Sequence, residues 1–105
     1  MFKVFRTAEF ENMMLKLLTK GEQERIVKLE EEISQLGFTG KPLGYTFLRE
    51  KRISEKRVYF LVYEDIKSVL MVAISSKKTQ QKTIDKIREF LPEYRRLMEE
   101  NAKLT

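Results

Sequence analysis

Four cations bracket one apolar stretch of this chain. Arg52 and Arg57 stand five residues apart, the second opening RVYFLVYED (57–65), and Lys77 and Lys78 follow VLMVAISS (69–76). Drawn together, such groups would bind a polyanion, and the planar fork of arginine matches a phosphate with two parallel N–H donors. Like charges gathered in one place repel, so a cluster of this kind calls for a reason. A bound polyanion supplies one. The alternative is four side chains splayed into solvent, with Glu50 and Glu55 near enough to neutralise them. Both readings stand on residue types alone. Other chemistry is narrowed by what is missing. The chain has no His and no Cys, which removes the commonest acid/base group, the commonest metal ligand and all thiolate chemistry.

Whether the cations meet depends on the elements that carry them. Residues 57–63 and 69–75 are dense in Val, Ile, Tyr and Phe and read as strands. A turn near Ile66 would place Val58 opposite Ile74, Phe60 opposite Val72 and Val62 opposite Leu70. Every pair is apolar, so this face is the expected core. The same register sets Arg57 opposite Ser75, within a residue or two of Lys77. A second turn at Ser54-Glu55-Lys56 joins a strand over about 45–53 to the next and brings Arg52 beside Arg57. Arg52, Arg57, Lys77 and Lys78 are thus expected at one edge of a sheet. A charged residue so placed should contribute little to folding. The opposite face, with Tyr59, Leu61, Tyr63, Val69, Met71 and Ala73, is too apolar to meet water along its length. The last helix or a partner chain must cover it.

The rest of the chain supplies the frame. Residues 2–6 alternate as a short strand. Thr7 reads as an N-cap, and Phe10, Met13, Met14, Leu17 and Leu18 mark one face of a helix. Thr19-Lys20-Gly21 is read as its break. A second helix runs from about Glu22 to Leu36, stopped by Gly37. The Gly/Pro-rich 37–44 is a loop. From Thr79 or Gln80 an apolar stripe of Ile84, Ile87, Leu91, Tyr94 and Met98 predicts a long C-terminal helix, interrupted near Leu91 by Pro92. The order β-α-α-β-β-β-α implies one α+β domain over 1–105, an antiparallel sheet meander packed on an N-terminal helix hairpin.

Charge is unevenly spread. The chain of 105 residues carries a formal +5, but residues 41–88 hold 12 Lys/Arg against 5 Asp/Glu. A basic middle on a near-neutral frame suits nucleic acid or an acidic protein. No apolar run approaches the ~20 residues of a membrane span, so a soluble, cytoplasmic protein is expected.

The segments EKRI (50–53), RVYFLVYED (57–65) and KKTQQKTI (77–84), taken with the element order, resemble the RelE/ParE superfamily of type II toxins, and most of all its HigB and phage-derived branch. The resemblance covers the whole chain in topology and is sharpest over 48–84. It implies a ribosome-dependent mRNA endoribonuclease that inhibits translation and is held in check by a cognate antitoxin. Arg57, Lys77 and Lys78 then match the catalytic positions, and Arg52 matches a basic position that holds RNA. Such groups stabilise the charge that builds as a 2′-OH attacks the phosphate. Tyr59, the sheet tyrosine nearest the basic edge, joins Arg52 as a substrate-binding candidate. No cofactor or metal is implied, and a homo-oligomer is left open. The chain departs from the pattern in lacking the C-terminal His or Tyr that serves many members as acid or base. Its charged tail, 92–105, runs past the usual end and is a candidate cover for the site. A second reading therefore stands beside the first: a catalytically inactive RelE/ParE-like module that binds nucleic acid or a protein.

Overall fold

Alternation of apolar residues in FKVFR produces the first strand, β1 (Lys3–Arg6). Thr7 ends it and starts α1 (Ala8–Leu17), its hydroxyl accepting the Phe10 N–H at 3.0 Å. Only Leu18 and Thr19 separate α1 from α2 (Lys20–Leu36). The expected break at Thr19-Lys20-Gly21 is therefore shorter, because Lys20 and Gly21 form the first turn of α2. Thr19 makes this possible through a capping box. Its hydroxyl accepts the Glu22 N–H at 3.1 Å, and the Glu22 carboxylate accepts the Thr19 N–H at 2.9 Å. Thr19→Ala should cost about 1 kcal/mol of stability, read as a shift in the urea midpoint. A shift below a fifth of that would show that the box adds nothing.

The computed structural model describes residues 1–104, with side chains to Asn101. Beyond α2 come β2 (Lys41–Pro42), β3 (Leu48–Ile53), β4 (Lys56–Tyr63), a 3-10 turn at Glu64–Ile66, β5 (Ser68–Ser76), α3 (Gln80–Glu89) and α4 (Leu91–Leu104). The fold is α+β, with two departures from the expected arrangement. The Gly/Pro-rich segment contains a short edge strand, β2. The C-terminal stripe breaks at Phe90, beside the interruption expected near Leu91, and Pro92 falls in the first turn of α4. The sheet, in order β1-β5-β4-β3-β2, is mixed rather than a pure antiparallel meander, because β1 runs parallel to β5.

The central hairpin follows the expected register only for half its length. Arg57 faces Ser75, Val58 faces Ile74 and Tyr59 faces Ala73, but a bulge then shifts the pairing so that Phe60 faces Met71 and Val62 faces Val69. One extra residue reverses the facing of everything beyond it. Val69 and Met71, not Leu70 and Val72, join Val58, Phe60, Val62 and Ile74 in the core under the helix pair, with Phe10, Met14, Ile26, Leu29 and Ile33. Leu70 and Val72 turn to the other face, with Tyr59, Leu61 and Tyr63. There Ile84 and Ile87 of α3 and Met98 of α4 cover them. The C-terminal helices thus cover the second face.

Gly40 sets the edge of the sheet. With φ at +81°, its backbone lies so close to the Glu50 carbonyl that a Cβ would stand 2.5 Å from that oxygen. Only glycine meets both demands. Arg49 ties the segment down by donating to the carbonyls of Phe38, Thr39, Gly40 and Thr46. Among the described residues no helix is long and apolar enough to cross a membrane.

Candidate nucleic-acid interface

Strand pairing assembles the basic end. Arg52 of β3 and Arg57 of β4 are direct partners across the ladder, and Arg57 is in turn opposite Ser75 of β5. Alternation puts Glu50, Arg52, Arg57 and Tyr59 on the face covered by the C-terminal helices. Lys77 and Lys78 follow β5 directly, fully outside in the short connection to α3. All four cations therefore lie at one end of the sheet, with β4 central rather than at an edge. The first turn of α3 carries no acid, so its N-terminal N–H groups add to the positive potential.

The four are not equivalent. Arg52 is exposed, as are both lysines. Arg57 is not: its side chain is only 12% exposed, and it faces Glu50, itself 7% exposed, at 3.6 Å from Nη1 to Oε1. That separation is an ion pair without a close hydrogen bond. The other carboxylate oxygen of Glu50 accepts a 2.8 Å bond from Nε2 of Gln80 in α3. The Arg57 Nε is buried and has no hydrogen-bond partner. The exposed setting expected of Arg57 is not what the structure has: its side chain is largely withdrawn and paired with Glu50, which α3 holds through Gln80. Glu50, by contrast, has the neutralising part that its position allowed, while Glu55 is exposed on the turn.

Tyr59 lies beneath the site rather than in it. It is completely buried, so it does not present a surface to substrate. Its hydroxyl is 2.8 Å from Ser75 Oγ, which itself donates to the Ser76 carbonyl at 3.0 Å. With the Ser75 proton so committed, Tyr59 is the donor of the pair. Burial pushes the Tyr59 hydroxyl above the ordinary tyrosine range, and Glu50 pushes it further against the opposing pull of Ser75 and Arg57. Tyr59 is thus a fixed, neutral hydrogen-bond donor under the basic end.

Two features escape a reading of the strands alone. Gln80 is the first, since its partner lies 30 residues away; the signal was the EKRI and KKTQQ segments falling at one sheet end. The second is a shallow depression where Arg52 meets Lys51 and, from α2, Arg25 and Lys28, with Glu32 the acid among them. Basic surface therefore continues from the sheet end around to the helix pair. The charged tail does not cover this end through its described side chains. Arg95 of α4 pairs with Asp65 and lies over Tyr63, at the other end of the hairpin. There an apolar groove of about 670 Å³ is lined by Phe38, Phe47, Tyr63, Leu91 and Pro92 among others. Arg95 lines it but is paired with Asp65 and Glu99, and none of Arg52, Arg57, Lys77 and Lys78 reaches it.

No family model matches the chain. No curated protein matches it either. Its fold does match solved structures. The isolated E. coli RelE toxin superposes with a TM-score of 0.64 at 13% identity, over 83% of this chain and 99% of RelE. A mutant E. coli RelE in complex with an antitoxin RelBc peptide gives the same TM-score and identity, over 78% of this chain and 93% of that one. The fold is RelE-like; at that identity the likeness is one of fold.

Proposed function

We propose that this chain is the toxin of a type II toxin–antitoxin pair, of the HigB and phage-derived branch of the RelE/ParE superfamily, and that it cuts mRNA on the ribosome in the cytoplasm. The observation that carries the reading is the gathering of Arg52, Arg57, Lys77 and Lys78 at one end of a RelE-like sheet. In this mechanism Arg52, Lys77 and Lys78, all exposed, hold the RNA backbone through its phosphates. Arg57 acts on the scissile phosphate. As the 2′-oxygen attacks phosphorus, charge accumulates on the non-bridging oxygens, and a guanidinium placed against them lowers the barrier more than it favours bound substrate. The partner implied is a cognate antitoxin protein, as the RelBc peptide is for RelE.

A second reading is a binding module that grips RNA without cutting it. It is favoured by the full burial of Tyr59, which leaves the basic end without an exposed tyrosine, in a chain that has no histidine. Expressing the chain alone separates the two. Growth arrest with fragmented mRNA supports the toxin. RNA binding with intact message and normal growth supports the module. Both readings predict binding that weakens with salt. Three or four cation–phosphate contacts give a log–log slope of about −2 to −4. Binding that stays flat as salt rises would count against any phosphate-holding role.

A further inference from the structure

We infer that Glu50, held by Gln80, is a positioning residue that keeps the Arg57 guanidinium inside the sheet face until a phosphate takes it. The inference rests on the proposed RNA reading and concerns the control of that same site. Three observations carry it. The Glu50 carboxylate is almost fully buried and is divided between two partners, Gln80 Nε2 at 2.8 Å and Arg57 Nη1 at 3.6 Å. Arg57 lies beside Arg52, which is exposed, yet Arg57 itself is largely withdrawn. Its Nε is buried with no acceptor, and such a group is normally satisfied.

Together these describe a cation held by attraction in an imperfect setting. Arginine has five N–H donors in a rigid fork. Glu50 meets that fork at long range, its nearest approach being 3.6 Å at Nη1, while Gln80 holds the other carboxylate oxygen. A phosphate under attack gathers charge beyond its single resting charge and presents several acceptors, so it can take two parallel bonds from the fork. Exchange of Glu50 for phosphate therefore trades a loose ion pair for a close one and offers the orphaned Nε an acceptor. The consequence is a division of labour. Arg52, Lys77 and Lys78 set ground-state affinity, while Arg57 is withheld for the step at which charge grows. Glu50 thus tunes how much of the binding energy of Arg57 appears before the transition state.

Glu50→Gln tests this directly. The glutamine oxygen still accepts from Gln80, but the carboxylate charge facing Arg57 is gone. Arg57 is expected to move outward. Its modification by phenylglyoxal, mapped by mass spectrometry, should rise towards that of exposed Arg52. The affinity for a short single-stranded RNA oligonucleotide should tighten about three- to tenfold, with the salt slope steeper by about 0.7, the share of one added phosphate contact. Adding Arg57→Ala to Glu50→Gln should remove that gain. In cleavage, Glu50→Gln should lower KM more than it changes kcat. Unchanged phenylglyoxal reactivity of Arg57 in a folded Glu50→Gln protein overturns the inference. Greater reactivity, with neither protein binding RNA, retains the hold of Glu50 on Arg57 and sinks the RNA reading instead. Should Glu50→Gln fail to fold, the wild type decides by NMR. The Arg57 Nε–H signal should stay in place when the oligonucleotide saturates the protein, and a signal that moves as for a direct phosphate contact overturns the inference.

Discussion

Replacing Phe60 by alanine is expected to lower the unfolding free energy by about 3–5 kcal/mol. Phe60 is on the central strand β4 and is wholly buried. It packs in the cluster that joins the sheet to α1 and α2, with Phe10, Ile26 and Ile33. Its ring lies near the turn at Gly40, where a Cβ would stand 3.7 Å from it. Deleting the ring removes its transfer free energy and leaves a cavity that two rigid layers can close only in part. Phe60→Leu, which fills much of that space, should cost about 1.5 kcal/mol or less. Urea unfolding of the three proteins measures the series. Equal midpoints for alanine and wild type would show that the helix pair does not pack on the sheet at this point. The loss should leave RNA binding unchanged per folded molecule, since Phe60 faces away from the cations.

Phe60 also shows where reasoning from the chain succeeds and where it stops. Its burial and its face were legible, because alternation along 57–63 marks Val58, Phe60 and Val62 together. Its partner was not. A bulge adds one residue to β5 between Ala73 and Met71, and every residue from Val69 to Ile74 is apolar. Alternation carries no mark of an inserted residue when both faces are buried. The strand β1 was legible as a strand, but its parallel pairing with β5 is set by how α1 and α2 carry the chain back across the sheet. The two-residue strand β2 depends on the four carbonyl contacts of Arg49 and on Gly40, none of which is written in a local pattern.

The basic end was legible for a different reason. Arg57 and Ser75 sit on the side of the bulge where the expected register holds, so Arg52, Arg57 and the lysines fall together as reasoned. The burial of Arg57 was hidden. An arginine at the start of a strand reads as exposed, and the helix that encloses it contributes through Gln80, far along the chain. The facing of Tyr59 was correct and its depth was not, for the same reason: α3 lies over both.

Arg57→Ala is accordingly expected to act twice. On the proposed toxin reading, cleavage should fall by about 10²–10³ in kcat, the range for removing one preorganised group that stabilises developing charge. Ground-state RNA affinity should change much less, because Glu50 engages Arg57 before the reaction. Stability should fall too. An exposed arginine would cost about 0.5 kcal/mol or less, but here the carboxylate of Glu50 is left in a buried place with Gln80 as its remaining partner. Breaking a well-made buried pair from one side costs about 3–5 kcal/mol, but this pair is loose and Glu50 keeps its bond from Gln80, so the expected loss is smaller, about 1–2 kcal/mol. The two effects separate in the double variant Arg57→Ala with Glu50→Gln. Removing the stranded charge should restore most of the stability and none of the cleavage. Growth arrest, mRNA cleavage and melting temperature of wild type, single and double variants provide the comparison. A single variant that melts like wild type would show that Glu50 and Arg57 are not energetically paired. A double variant that regains cleavage would show that Arg57 is structural, and that the phosphate is met by Arg52 and the lysines alone.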